Sequence, residues 1–339
     1  MTNTARPTHT REIHLAARPV GAPVATDFAF VERELPPLAD GEILVRNTWM
    51  SVDPYMRGRM DDAPSYIPPF ALGAALEGSA VGEVIESRAA TIAVGTLVSH
   101  FAGWREHAIV DAATATPIDP ELAAPYQFLS VLGTTGLTAY AALTDAAPVR
   151  PGDTVFVSAA AGAVGSVAGQ IARALGAKRV IGSAGGPVKA RKLLDVFGFD
   201  AAIDYRGGDL TEQLADAAPD GIDVYLDSVG GEHLRAAVEA MNQHGRIALV
   251  GAISGYNGDT DRPAPDLYLA ATKELTLRGL LVTSYLPLFA EYIPRAASWL
   301  ADGTLRTAET VYEGLDQAPA AFLGVLTGAN TGKMLVRLE

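Results

Sequence analysis

Ala160-Ala161-Gly162-Ala163-Val164-Gly165 follows close on the β-branched and aromatic run Val155-Phe156-Val157. A strand that turns through small residues into a helix offers bare backbone N–H groups at the helix N-terminus, which is what an anionic phosphate requires. Ala160, Gly162 and Gly165 occupy the glycine places of a G-x-G-x-x-G spacing, with alanine in the first. The chemistry such a loop serves is binding of a dinucleotide pyrophosphate, although alone it also fits an ordinary strand-to-helix turn. About twenty residues further on, NAD-selective folds carry an acid for the adenosine ribose. Here the chain reads Ile181-Gly182-Ser183-Ala184, and the cations Lys189, Arg191 and Lys192 follow. A 2′-phosphate wants cations and hydroxyls and no neighbouring acid, so the pattern favours NADP(H) over NAD(H). The bland alternative for those cations is the solvated face of a helix.

These residues need elements to hold them. Over the first third, short alternating segments at 12–16, 28–35, 43–48, 82–86 and 96–100, punctuated by Pro and Gly, predict a β-barrel. From about 120 to 147 the apolar spacing of Tyr126, Leu129, Leu132, Leu137 and Tyr140 is helical, and a domain boundary falls near residue 122. Beyond it, strands are predicted at 154–157, 179–181, 202–204, 223–226, 246–250 and 276–282, with helical stretches between. That alternation implies an α/β fold with a doubly wound parallel sheet, whose ligand lies beyond the carboxyl ends of the strands. The rule singles out the 160–165 loop, Ser183, Tyr205, Ser228 and the segment Gly251-Ala252-Ile253-Ser254-Gly255-Tyr256. Short strands return at 309–312 and 334–338. The expected organisation is a barrel domain of residues 1–122 and 307–339, with a dinucleotide domain of residues 123–306 inserted.

The 339-residue chain has a formal charge of −13. Without a Lys/Arg run it repels phosphodiesters and anionic lipid, which argues against nucleic acid and membrane partners. No apolar stretch reaches spanning length, and the opening MTNTARPTHTREIH lacks the apolar core of a secretion signal. A soluble, cytoplasmic protein acting on a small molecule is expected. Cysteine is absent, which removes disulfides, thiolate nucleophiles and Cys-based zinc sites. The histidines show no HxxxH or HExxH spacing, so no metal is expected.

Longer strings carry a resemblance. Ser51-Val52-Asp53-Pro54-Tyr55-Met56-Arg57-Gly58-Arg59-Met60, SAAAGAVGSVAGQIAR at 158–173, Gly198-Phe199-Asp200-Ala201-Ala202-Ile203-Asp204-Tyr205 and Gly251-Ala252-Ile253-Ser254-Gly255-Tyr256-Asn257 are the strings in question. Together they closely resemble the zinc-independent medium-chain dehydrogenase/reductase branch of prostaglandin reductase, plant alkenal double-bond reductase and bacterial curcumin reductase. The likeness covers nearly the whole chain. It implies a GroES-like β-barrel with an inserted Rossmann domain, NADPH as cofactor, and reduction of the C=C bond of α,β-unsaturated aldehydes and ketones. It also implies a homodimer, for which the edge strand 276–282 is the candidate. By the same likeness Lys189 and Tyr205 contact the 2′-phosphate end. Pro54, Tyr55, Val250, Tyr256, Leu280, Leu281, Val282 and Asn330 look toward the nicotinamide half and pyrophosphate. Two departures stand out. Asp227-Ser228-Val229-Gly230-Gly231 has Ser228 where relatives usually carry Asn. Leu132-Gly133-Thr134-Thr135-Gly136 replaces Leu-Gly-Met-Pro-Gly, so Thr134 would make the substrate pocket edge more polar.

Reducing an enone adds hydride at the β-carbon and moves negative charge onto the carbonyl oxygen, which the protein must stabilise. Tyr256, past the fifth strand, carries a phenol that donates at neutral pH. It is expected to hydrogen-bond the enolate oxygen, directly or through the nicotinamide ribose hydroxyl, with the α-carbon proton coming from Tyr256 or water. A loop tyrosine that only packs is the alternative. Tyr55 would orient the substrate carbonyl, with packing in the barrel as its alternative, and Asp53 and Arg57 would brace its turn as an ion pair. Trp104 would line an apolar pocket, although an aromatic of this kind is more often core, and the loops 61–69 and 254–266 would shape the pocket. Two other readings remain: an NADPH-dependent quinone reductase of the same superfamily, and an NADPH-binding protein without turnover. A zinc alcohol dehydrogenase is disfavoured, because cysteine is absent and Glu77-Gly78 has no preceding histidine.

Overall fold

The structure is a computed structural model that describes residues 6–258 and 263–338, so part of the 254–266 loop lies outside the described residues. The chain forms two compact units. The first runs through Leu129 and is completed by Thr310–Ala329 and the segment from Met334. The second is Ser130–Glu309 together with Asn330–Lys333. Residues 123–129, expected with the dinucleotide domain, therefore group with the first unit, where Pro125–Leu129 form a 3-10 turn.

The first unit opens with the antiparallel pair β1 (His9–Leu15) and β2 (Phe28–Glu34). β3 (Glu42–Ser51), β4 (Ala80–Ser87), β5 (Leu97–His100), β6 (His107–Asp111) and β7 (Thr116–Pro117) then build an antiparallel sheet. A short helix, α1 (Met56–Arg59), follows β3. Sequence alternation finds β1 to β5 but not β6, which pairs with β3 through the register Ile43↔Val110 and Val45↔Ala108. The core of this unit is aromatic at its centre, with Phe28 stacked on Trp104 and Phe322 edge-on to both, all ring centroids 6.1 Å apart.

The second unit is built on a six-stranded sheet of β8 (Thr154–Val157), β9 (Arg179–Ala184), β10 (Ala201–Asp204), β11 (Ile222–Asp227), β12 (Met241–Leu249) and β13 (Thr276–Gly279). Helices α2 (Thr134–Ala141), α3 (Ala163–Ala174) and α4 (Pro187–Asp195) flank its first half. The spatial order β10-β9-β8-β11-β12-β13, with parallel pairing throughout, is the doubly wound arrangement expected from the sequence. It reverses direction between β8 and β11, where such sheets bind their ligands. Small residues let the layers close. A Cβ on Gly169 of α3 would lie 2.1 Å from the Phe199 ring, and one on Gly182 of β9 would lie 2.7 Å from it.

Two strand limits differ from expectation, each for a packing reason. β9 continues to Ala184 because Gly182, Ser183 and Ala184 pair with Ala202, Ile203 and Asp204 of β10, so Ser183 lies inside the strand and not past its end. The 276–282 run is strand only to Gly279, the last residue in register with β12, and Val282 begins a 3-10 segment. The chain returns as β14 (Glu309–Glu313) and β15 (Lys333–Arg337), and β15 pairs with β3. Among the described residues no helix is long and apolar enough to cross a membrane.

Candidate functional site

β8 ends at Val157, and the loop behind it is bent by Ala159, which holds φ at +47°. Gly162 caps α3 without a side-chain hydrogen bond, so helix geometry leaves the amides of Ala163, Val164 and Gly165 without intrahelical acceptors. Their donors and the helix dipole favour an anion at this end. Gly165 is required by close approach, since a Cβ there would fall 2.5 Å from the Ala159 carbonyl oxygen. Ala160 is fully buried and its N–H donates to the Ser183 carbonyl at 2.8 Å. Ser183 thus supports the loop from below, while its own hydroxyl is buried without a partner.

A strap from the C-terminal stretch closes one side of this cradle. Gly332 N–H donates to the Ala161 carbonyl at 2.7 Å, and Lys333 N–H to that of Ala308 at 2.9 Å. Gly332 sits at φ +67°, where a Cβ would overlap the Ala308 carbonyl. Asn330 is buried and spends its Nδ2 on the Gly332 carbonyl at 2.6 Å, so it shapes the strap.

Beyond β9 and β10 lies a group of cations. Tyr205 and Arg206 flank Gly185 so closely that a Cβ there would be 2.8 Å from the phenol oxygen and 3.0 Å from the guanidinium Nε. Burial lowers the affinity of the Lys189 ammonium for its proton, and repulsion from Arg206 and Lys192 lowers it further. The nearby Asp204 uses Oδ1 to accept the amides of Gly186 and Arg206, at 2.7 and 3.0 Å. Lys189 with two cations that repel it, grouped at a strand end, could hold a multiply charged anion. Arg206 had no signal in the sequence beyond its neighbour Tyr205.

At the switch point Asp227 is buried and organises two loops. Its Oδ1 accepts from Tyr225 Oη, Ser158 Oγ, and the amides of Val229 and Gly230, at 2.8, 3.2, 2.9 and 2.8 Å. Val250 and Gly251 N–H both donate to the Asp227 carbonyl, which ties the end of β12 to the end of β11. Ser228 lies in this joint with its hydroxyl buried and unpartnered. Tyr256 folds back over it, and a Cβ on Gly251 would lie 3.1 Å from its phenol oxygen. The Ala252 amide reaches that oxygen only at 3.4 Å, which leaves the hydroxyl free to donate. Leu280 is buried against β12 through its N–H to Leu249, whereas Leu281 is exposed and Val282 begins the following turn.

Three features of the second unit could hold a dinucleotide's phosphates: bare amides on α3, a cation group past β9 and β10, and an orphaned hydroxyl at Ser228. Over residues 11–118 the chain matches a family model described as the N-terminal domain of oxidoreductase. Over residues 163–302 it matches one described as zinc-binding dehydrogenase. It is 37% identical over 330 residues to the NADPH-dependent curcumin reductase of Escherichia coli, covering 96% of this chain and 95% of that one. It is 38% identical over 307 residues to the NADP(+)-dependent 2-alkenal reductase of Nicotiana tabacum, covering 89% of each. The crystal structure of CurA from Vibrio vulnificus in complex with NADPH superposes with a TM-score of 0.92 at 38% identity, over 97% of this chain and 99% of that one. The chain belongs to the curcumin, prostaglandin and 2-alkenal reductase family of medium-chain dehydrogenases/reductases.

Despite the zinc in one family description, no group of three or more His, Cys, Asp or Glu among the described residues could hold a metal ion. In this reductase the residues expected from the sequence divide by location. Ala160, Gly162 to Gly165, Lys189, Tyr205, Ser228, Val250, Tyr256, Leu280 and Asn330 all belong to the second unit, with Ala163 to Gly165 in the first turn of α3, Lys189 in α4 and the others outside its helices. Thr134, expected at a pocket edge, is exposed at the first turn of α2, with its carbonyl accepting from Thr138 Oγ1.

Pro54 and Tyr55 belong to the first unit, in the turn that opens α1. The Tyr55 hydroxyl is buried without a partner, and burial, then the Asp53 charge, push it well above the ordinary phenol range. It is therefore a neutral donor. The expected Asp53–Arg57 pair does not form: Arg57 donates to Asp61 and to the Gly21 carbonyl, both at 2.8 Å, while Asp53 accepts from Ser51. Trp104, expected on a pocket wall, is 1% exposed in the core, because its left-handed φ of +63° turns the indole inward onto Phe28.

Proposed function

We propose that this chain reduces the C=C bond of α,β-unsaturated aldehydes and ketones with NADPH. It is an NADP(H)-dependent oxidoreductase, as its relatives are by name. The amides of Ala163 to Gly165 hold the pyrophosphate, and Lys189, Tyr205 and Arg206 hold the 2′-phosphate. When bound, NADPH supplies the hydride. Tyr256 donates a hydrogen bond to the carbonyl oxygen as it becomes an enolate, and the α-carbon takes its proton from Tyr256 or water. In the first unit, Tyr55 is a neutral donor for a carbonyl oxygen.

The observation that carries the reading is the Tyr256 hydroxyl. It stands at the carboxyl edge of the sheet that bears the cradle, and a long bond from Ala252 is its only hydrogen bond among the described residues. The test is absorbance at 340 nm when purified protein, NADPH and crotonaldehyde are mixed. A steady fall with saturated aldehyde as product is expected. A flat trace across a panel of enals and enones would favour a binding protein, and turnover of a quinone alone would favour a quinone reductase.

The reading includes a homodimer. β13 ends the parallel sheet and its residues are largely exposed, so its outer backbone groups are open to a second copy. Light scattering should give twice the chain mass, and a proline at Leu277 should reduce it to the monomer; a monomeric wild type refutes the assembly.

A further inference from the structure

His233 lies in the helix Gly231–Ala240, which follows β11 in the second unit, and its place is set from Asp227. Oδ1 of that acid accepts the Gly230 amide at 2.8 Å, and the Gly230 carbonyl accepts the His233 amide at 3.2 Å. His233 is 5% exposed, with Nε2 buried and unpartnered. Burial lowers its pKa to about 4, and no charged neighbour contributes, so the imidazole is uncharged at neutral pH. It adds no further cation to Lys189, Lys192 and Arg206.

What it touches is Tyr205. The two rings meet edge to face, with centroids 5.1 Å apart and planes at 77°. Tyr205 is 37% exposed, and a side chain this open to solvent changes rotamer readily unless a neighbour holds it. Arg206 also approaches the ring, its guanidinium carbon 5.8 Å from the centroid, but Arg206 is itself exposed. His233 is the buried neighbour of the two, and close packing makes it the fixed support. The place it fixes matters, because the phenol oxygen stands 2.8 Å from where a Cβ on Gly185 would be, within the cation group.

We propose that His233 is a positioning residue for cofactor selectivity: its uncharged ring holds the Tyr205 phenol beside Gly185, where it meets the 2′-phosphate of NADP(H). The proposal rests on the assignment of that phosphate to Lys189, Tyr205 and Arg206. Ring shape is what the role needs. A phenyl ring would serve as well, without the orphaned nitrogen.

Fluorescence titration of NADPH and of NADH tests this without turnover. His233→Ala should raise the Kd for NADPH by about tenfold, the worth of one charge-assisted hydrogen bond, and leave that for NADH within about twofold. His233→Leu keeps the buried volume but not the flat edge, which covers the case of a His233→Ala chain that fails to fold. It should raise the Kd for NADPH by about threefold or more, the worth of an aromatic pair. His233→Phe should bind both cofactors as the wild type does and melt at the same temperature or higher. In a Tyr205→Phe background, His233→Ala should move neither Kd by more than about twofold. Equal losses for NADPH and NADH, no loss in His233→Ala or His233→Leu, a His233→Phe variant as impaired as His233→Ala, or a full effect in the Tyr205→Phe background would each overturn the role of His233. Tyr205→Phe binding NADPH as the wild type does would instead refute the phosphate contact itself, and the positioning role with it.

Discussion

Replacing Tyr256 by phenylalanine should lower kcat for enone reduction by about 10²–10³, the cost of losing one oxyanion-type donor. The Kd for NADPH should stay at its wild-type value. The phenol oxygen takes only a long contact from the Ala252 amide, so removing it deletes little that holds the loop together. The phenol oxygen lies where a Cβ on Gly251 would come within 3.1 Å of it, so its removal only opens space there. A loss confined to kcat would show that the hydroxyl acts on charge that develops during reaction. Stopped-flow absorbance at 340 nm under saturating NADPH gives kcat, and fluorescence titration gives the Kd. Full turnover in a variant that still binds NADPH would remove Tyr256 from the mechanism. A loss of NADPH affinity equal to the loss of rate would make it a cofactor contact.

The parallel sheet was legible because its strands are β-branched and apolar runs set between helical stretches, a pattern that local chemistry writes directly. What sequence spacing could not supply was anything that depends on register or on a missing side chain. Asp227 reads as an ordinary acid at a strand end. Its role arises because β11 pairs with β8 through Leu226↔Val157, which carries Ser158 beside it. Arg206 follows a strand in a turn without periodicity, and it reaches the cation group because Gly185 leaves the space open. Ser183 sits in Gly182-Ser183-Ala184, whose low β-propensity hid three more residues of strand that pairing with β10 enforces. Trp104 was ambiguous by type alone, since an indole can line a pocket although it more often fills a core. Its left-handed backbone and its stack on Phe28 decide the matter, and neither is written locally.

The second large effect concerns the cations beyond β9 and β10. Lys189→Ala combined with Arg206→Ala should raise the Kd for NADPH by about 10²–10³, from two charge-assisted hydrogen bonds discounted for the exposure of Arg206. NADH lacks the 2′-phosphate, so its Kd should hardly move, and the preference between the two cofactors should collapse. The single variants should not add up to the double. With Arg206 gone, Lys189 loses a repulsive neighbour and returns toward its ordinary affinity for a proton, which partly offsets the missing guanidinium. In the wild type, a bound dianion turns the mutual repulsion of Lys189, Lys192 and Arg206 into a shared attraction. Added salt should therefore weaken NADPH far more than NADH. Titrating both cofactors by fluorescence at low and high salt separates the possibilities. Equal losses for NADPH and NADH would mean that the cations only support the loop. An unchanged NADPH affinity would mean that the phosphate is held elsewhere.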